Sequence, residues 1–194
     1  AGTAALAAGA TVAGVIDVCA ALSARLPVAI MCYSNLVLAR GGTAFASALA
    51  QAGASGLIVP DLPLEEAPQL REVCDAAGIA LIPLVAPTTP DERLRRIGAL
   101  ARGFLYTVSV TGTTGERKAI GDDLPDALAR ASAATEVPVA VGFGIATPEQ
   151  AAAAADAGAD GVIVGTRLVR AAAEASDPAA VAGALVSELA AALR

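Results

Sequence analysis

Six short apolar runs, none alternating with polar residues and none joined to the next by a hairpin signal, constrain this chain more than any other feature. They are Val28–Tyr33, Gly56–Pro60, Ala80–Ala86, Gly103–Ser109, Val137–Gly142 and Gly161–Gly165. A strand that is apolar on both faces is covered on both faces, as in a parallel sheet flanked by helices. Amphipathic stretches near 43–53, 64–77, 90–101, 122–134 and 147–157 lie between the runs. A further pair follows near 166–175 and 177–193, and a helix is expected from Thr3–Ala8 onward to Arg25. Strict alternation of strand and helix predicts an α/β fold with a parallel sheet and outer helices.

Local signals support these helices. Thr147-Pro148-Glu149-Gln150 reads as an N-cap, a proline in the first turn and a capping-box glutamine. Thr89-Pro90-Asp91-Glu92 repeats the idea, with acids that complement the helix dipole. The phrases Ala52-Gly53-Ala54-Ser55-Gly56, Ala76-Ala77-Gly78-Ile79 and Ala157-Gly158-Ala159-Asp160-Gly161 each read as a helix end, a glycine and a strand start.

A closed parallel barrel needs eight strands and about 250 residues, and 194 residues supply six candidates. An open doubly wound sheet and an incomplete barrel therefore compete. Open sheets carry their ligand loops at a switch point near the middle of the sheet. Here the glycine-rich loops follow the last two runs, where barrels hold phosphate, and the chain opens in a helix. The expectation is one incomplete TIM (β/α)8-barrel domain over 1–194, N-terminally truncated, with strands three to eight present.

Composition narrows the function classes. Hydrophobic residues are 56% and charged residues 16%, which excludes disorder. No apolar run approaches the roughly 18 residues of a membrane span, and without a charged n-region followed by an apolar h-region no secretory signal is expected. A net charge of −6 with 3% aromatics argues against nucleic acid and anionic membranes. Cys19, Cys32 and Cys74 lack metal-ligand spacing and fit buried thiols of a cytoplasmic protein. There is no histidine, so proton transfer falls to carboxylates, Tyr, Lys or Cys.

In a barrel the loops after the strands carry the chemistry. Gly142-Phe143-Gly144-Ile145 lets a backbone approach an anion, with a helix start close behind, or is simply a tight turn. Val164-Gly165-Thr166-Arg167 offers backbone N–H groups and a hydroxyl, or an N-capping threonine. As neighbours, the two loops make a phosphate site. Ser109-Val110-Thr111-Gly112-Thr113-Thr114-Gly115-Glu116 has the hydroxyls and glycines of a lid. Asp61, in Pro60-Asp61-Leu62-Pro63, is placed as a general base or as the cap of a helix beginning near Leu64. Tyr106 is placed to orient a substrate or to fill core, and Met31, Ile58, Leu81 and Phe143 to wall a flat ring.

The series Tyr33-Ser34-Asn35, Ile58-Val59-Pro60-Asp61-Leu62-Pro63, Leu84-Val85-Ala86-Pro87-Thr88, Thr111-Gly112-Thr113-Thr114-Gly115 and Val141-Gly142-Phe143-Gly144-Ile145 closely resembles the α subunit of tryptophan synthase. Order and spacing match along nearly the whole chain. The resemblance implies a barrel lyase that cleaves indole-3-glycerol phosphate to indole and glyceraldehyde 3-phosphate without a cofactor. It also implies a β-subunit partner that holds pyridoxal phosphate, in an αββα heterotetramer. Gly115, Gly144, Gly165 and Thr166 resemble phosphate contacts, Tyr106 and Phe143 the indole pocket, and Thr114 the lid threonine. Asn35 and Pro63 resemble residues facing the β subunit. Val110 stands where many members have a lid arginine. The resemblance places the family's catalytic Glu and Asp upstream of Ala1, which leaves no catalytic residue in these 194 residues and demotes Asp61 to a structural role. The alternatives are a non-catalytic activator of the β subunit, or another phosphate-binding barrel such as a sugar-phosphate isomerase.

Overall fold

The computed structural model of the chain describes residues 2–108, 123–142 and 144–193. Their contacts group into two compact units, Ala1–Leu84 with Leu100–Gly103, and Val85–Ala99 with Phe104–Arg194.

The first unit opens with α1 (Gly2–Ala7) and α2 (Val12–Ser23). The single helix expected here is interrupted at Gly9, whose φ of 87° lies in the left-handed region. The chain restarts at Thr11, whose hydroxyl accepts the Gly14 N–H at 3.1 Å. Strands β1 (Ala29–Met31), β2 (Gly56–Ile58) and β3 (Ala80–Ile82) form a parallel sheet in the order β1-β2-β3. Between β1 and β2 lie two helices rather than the one expected, α3 (Ser34–Arg40) and α4 (Gly42–Gln51). α5 (Ala67–Ala77) follows β2 and ends at Gly78 in the left-handed conformation. Phe45, Leu49, Leu57, Cys74 and Ile79 form its core. Burial pushes the Cys74 thiol up to about 11, so it packs as a small neutral hydrophobe.

The run 80–86 was expected as one strand and is two. Pro83 has no N–H to donate to a ladder, and it separates β3 from β4 (Leu84–Val85). β4 leads the second sheet, in the order β4-β5-β6-β7, with β5 (Leu105–Val108), β6 (Val139–Gly142) and β7 (Gly161–Val162). β5 pairs parallel with β6, and β6 with β7. The helices of the second unit are α6 (Asp91–Leu100), α7 (Leu124–Ala133), α8 (Pro148–Asp156), α9 (Thr166–Glu174) and α10 (Pro178–Ala191). Leu105, Leu124, Leu128, Val139 and Val141 are the largest of its fully buried aliphatic side chains among the described residues.

Thr107 in β5 is 1% exposed, and its hydroxyl has no hydrogen-bond partner among the described residues. A buried, unpaired hydroxyl costs desolvation without return. Replacing it by the isosteric valine, Thr107→Val, is expected to raise unfolding stability by about 1 kcal/mol. Urea unfolding checks this, and a loss of stability would mean that the hydroxyl has a partner.

Candidate functional site

Parallel strands deliver their C-terminal ends to one edge of a sheet, and in the second unit that edge collects the predicted ligand residues. Tyr106 lies in β5 opposite Ala140, and Val108 lies opposite Gly142, the last residue of β6. Tyr106 leans along the sheet toward Gly142. A Cβ built on Gly142 would lie 2.5 Å from the phenol oxygen and 2.7 Å from Cε2, so the absent side chain is what makes room for the ring. Tyr106 is half-buried, and that burial raises its pKa, which keeps the phenol protonated at neutral pH. It is therefore a neutral hydrogen-bonding group and a flat apolar surface.

Gly142→Ala is expected to displace the ring. The chain has two tyrosines and no tryptophan, so ultraviolet titration reads the phenols directly. The late-titrating phenol should move back down, because a ring pushed toward water loses the burial that disfavours phenolate. An unchanged titration would mean that the ring keeps its place.

After β6 the chain turns at Gly144, with φ 71°, and enters α8. Here the structure corrects one expectation. The Gln150 side-chain oxygen accepts the N–H groups of Ala146 at 2.8 Å and Thr147 at 3.2 Å. The Thr147 hydroxyl accepts the Gln150 N–H at 3.3 Å, and Pro148 has no N–H. Glu149 adds a carboxylate at the same place, its pKa lowered chiefly by a hydrogen bond to the Thr147 side chain. The N–H groups that were expected to help hold an anion at α8 are thus taken up by the helix's own cap. The next helix differs. α9 starts at Thr166 behind Gly165, which has no side chain to cap it. Gly165 and Thr166 are both exposed, and among the described residues nothing lies within 4 Å of a Cβ built on Gly165. The positive end of α9 thus has no side-chain cap, and its first residue, Thr166, carries a hydroxyl.

The second unit thus brings Tyr106, Gly144, Gly165 and Thr166 to adjacent strand ends. Thr114, Gly115 and Phe143 lie outside the described residues, as do Val110 and Glu116.

In the first unit, Asn35 is the second residue of α3 and Pro63 ends the turn after β2, both exposed. Of the residues named for an apolar wall, Ile58 and Leu81 are buried and Met31 is 51% exposed. Asp61 does not cap α5, which begins at Ala67 behind Glu66. Its carboxylate instead receives both donors of Ser34, the N–H at 2.8 Å on Oδ1 and the hydroxyl at 2.7 Å on Oδ2. These bonds, the hydroxyl's first, hold its pKa below the usual carboxylate range, which makes it a poor proton acceptor. Sequence reasoning missed Ser34 because its partner is 27 residues away. Among the described residues no cluster of His, Cys, Asp and Glu is arranged to hold a metal ion, and no helix is long and apolar enough to cross a membrane.

The family described as tryptophan synthase alpha chain matches residues 1–193. The chain belongs to the tryptophan synthase alpha chain family. It is 51% identical over 172 residues to the alpha chain of Gloeobacter violaceus, an alignment that takes in 88% of this chain and 62% of that protein. It is 47% identical over 189 residues to the alpha chain of Synechococcus sp. strain CC9902, covering 95% of this chain and 70% of that one. Among solved structures, tryptophan synthase of Mycobacterium tuberculosis superposes with a TM-score of 0.90 at 40% identity, over 99% of this chain and 72% of that one. A tryptophan synthase complex from Pyrococcus furiosus gives 0.89 at 30% identity, over 96% and 76%. The fold class is accordingly the TIM barrel of the tryptophan synthase alpha subunits. The chain spans about 62% of the length of the Gloeobacter relative.

Proposed function

We propose that this chain carries the substrate-holding part of the tryptophan synthase alpha lyase, which cleaves indole-3-glycerol phosphate to indole and glyceraldehyde 3-phosphate. The uncapped N-terminus of α9 at Gly165 and Thr166 carries the reading. It offers backbone donors and one hydroxyl to a phosphate, while Gly144 lets the backbone of the neighbouring loop approach. Gly115 is assigned to the same phosphate, and Tyr106, Thr114 and Phe143 to the indole end. In the cleavage, indole C3 takes a proton, the bond from C3 to the glycerol carbon breaks, and the carbinol hydroxyl on that carbon loses its proton to become the aldehyde. The cleavage is redox-neutral overall and calls for no redox cofactor, and the resemblance implies none of any other kind. The proton transfers need a general acid and base, which the resemblance gives as two carboxylates. Asp61 is engaged by Ser34 and is not one of them, and the resemblance assigns no catalytic acid among these 194 residues. The partner in this reading is the tryptophan synthase β subunit, which holds pyridoxal phosphate, with Asn35 and Pro63 on the face toward it. The three cysteines, all free thiols, support a reducing, cytoplasmic setting.

Calorimetric titration of the 194-residue chain with indole-3-glycerol phosphate tests the proposal. Saturable binding is expected, weakened about tenfold by Thr166→Ala, the effect of losing one hydrogen bond to a charged group. No indole should be released. Absence of binding would overturn the phosphate assignment, and turnover by the purified chain would overturn the reading that these residues hold no catalytic acid. The exposure of Asn35 and Pro63 also favours a second reading, in which these residues act only as a non-catalytic partner of the β subunit.

A further inference from the structure

We propose that Asp61 is a positioning residue for the partner-facing surface, acting through Ser34 to lock the Tyr33-Ser34-Asn35 loop to the Pro60–Pro63 turn. The proposal rests on the partner reading above. Its basis is the geometry of a single pair. Each carboxylate oxygen of Asp61 takes one donor from the same residue, the Ser34 N–H at 2.8 Å and the Ser34 hydroxyl at 2.7 Å. A bidentate grip fixes orientation as well as distance, and hydrogen bonds to an ionised acceptor are the stronger kind. α3 has no cap of its own, since Tyr33 at its N-cap makes no side-chain bond, so Asp61 supplies the cap from another loop. The platform beneath is firm, because the Cys32 N–H reaches the Ile58 carbonyl at 3.0 Å and the Leu62 N–H reaches the Val59 carbonyl at 3.2 Å. Pro60 and Pro63 stiffen the turn that presents the carboxylate.

What the grip sets is the spacing of the two partner-facing residues. Asn35 follows Ser34 directly, and Pro63 lies two residues beyond Asp61. Besides these bonds, the start of α3 and the Pro60–Pro63 turn are joined through the strands below them and through the core that Val37 and Leu62 enter. Tyr33 and Leu38, 65% and 77% exposed, add apolar surface on the same segment. An exposed phenol, an aliphatic side chain, an amide and two prolines form the kind of surface a protein partner covers.

The test is titration of the chain with the tryptophan synthase β subunit. Asp61→Ala removes both acceptors and is expected to weaken binding about tenfold. Ser34→Pro removes both donors while leaving Asp61 charged. Proline is accommodated in the first helical position, and the extended Tyr33 (ψ 154°) is compatible with a following proline. It should weaken binding as much as Asp61→Ala, and the double variant should be no worse than either alone. Asp61→Asn keeps one acceptor and should restore binding to within roughly threefold of the parent. Amide exchange at Asn35 and Leu36 should rise in both single variants and not in Asp61→Asn. Full binding by Ser34→Pro alongside weak binding by Asp61→Ala would overturn the proposal, because Asp61 would then touch the partner itself. Unchanged binding by both variants would also overturn it. Failure of the parent chain to bind would remove the partner reading and this proposal with it.

Discussion

Gly98→Ala is expected to lower the unfolding free energy by about 3 kcal/mol, the upper part of the range for overpacking a closely fitted interior. The direction is opposite to what a helix alone predicts. Alanine in place of a mid-helix glycine ordinarily stabilises by roughly 0.5 to 1 kcal/mol. Gly98 lies within α6 and is buried. A Cβ built on it would collide with the carbonyl oxygen of Ala134, the residue that ends α7, and would lie 2.7 Å from that carbonyl carbon. A side chain could rotate away, but a backbone carbonyl cannot. The end of α7 would have to move, along with the Thr135 hydroxyl that donates to the Gly98 carbonyl at 3.1 Å. That shift would carry strain into Val137 and the entry to β6, because the Val137 N–H donates to the same Thr135 oxygen at 3.4 Å. Gly183, inside α10, is the control: nothing lies within 4 Å of its Cβ position, so Gly183→Ala should stabilise by roughly 0.5 to 1 kcal/mol. Urea unfolding of both variants reads the difference as midpoint shifts of opposite sign with unchanged slopes. If Gly98→Ala also stabilised, the two helices would not approach as closely as this structure has them.

The contrast between those two glycines also marks what the sequence made legible. Signals that act within a few residues were readable. The capping box at Thr147–Gln150 forms as expected, and Gly53, Gly78 and Gly158 all take positive φ where helices give way to strands. The apolar runs became parallel strands, and β2 is buried at all three of its positions. β1 is not, for Ala29 and Met31 are exposed and only Ile30 is partly covered, and composition cannot distinguish the two strands. Breaks caused by one residue acting on its neighbours, at Pro83 and at Gly9, were hidden inside longer apolar or alanine-rich stretches. The pattern placed Tyr106, Gly144, Gly165 and Thr166 at or just after neighbouring strands, and the structure has them there. It did not reveal that the cap of α8 takes up N–H groups an anion would need, although both partners, Thr147 and Gln150, had been named. Contacts between residues far apart in sequence stayed invisible: Asp61 with Ser34, Tyr106 over Gly142, and Arg130 with the loop before α6.

Arg130→Met is expected to cost about 2 kcal/mol, and the reason lies in the composition of the loop that Arg130 holds. The segment Ala86–Asp91 contains Pro87 and Pro90, so it carries carbonyls in excess of N–H donors. Its own turn satisfies one of them, where the Thr89 N–H donates to the Ala86 carbonyl at 2.8 Å. The Ala86 N–H is used in turn by the Thr89 hydroxyl at 2.9 Å. Arg130, reaching from α7, supplies the missing donors: Nη1 to the Pro87 carbonyl at 2.8 Å, Nη2 to the Thr89 carbonyl at 2.6 Å, and Nε to the Asp91 carboxylate at 2.8 Å. A methionine keeps the aliphatic stem and removes all of these, leaving two partly buried carbonyls unpaired. Lysine cannot reproduce the fork, so Arg130→Lys should recover at most about half of the loss. The ion pair with Asp91 is the conspicuous contact and the lesser one, because Asp91 is 67% exposed and a surface pair contributes about 0 to 1 kcal/mol. Asp91→Ala should therefore cost well under half of what Arg130→Met costs. A double-mutant cycle between the two should leave most of the arginine's effect intact when Asp91 is already gone. Chemical denaturation of the four variants decides it. Should Asp91→Ala prove as damaging as Arg130→Met, the salt bridge and not the backbone carbonyls would be what ties α7 to this loop.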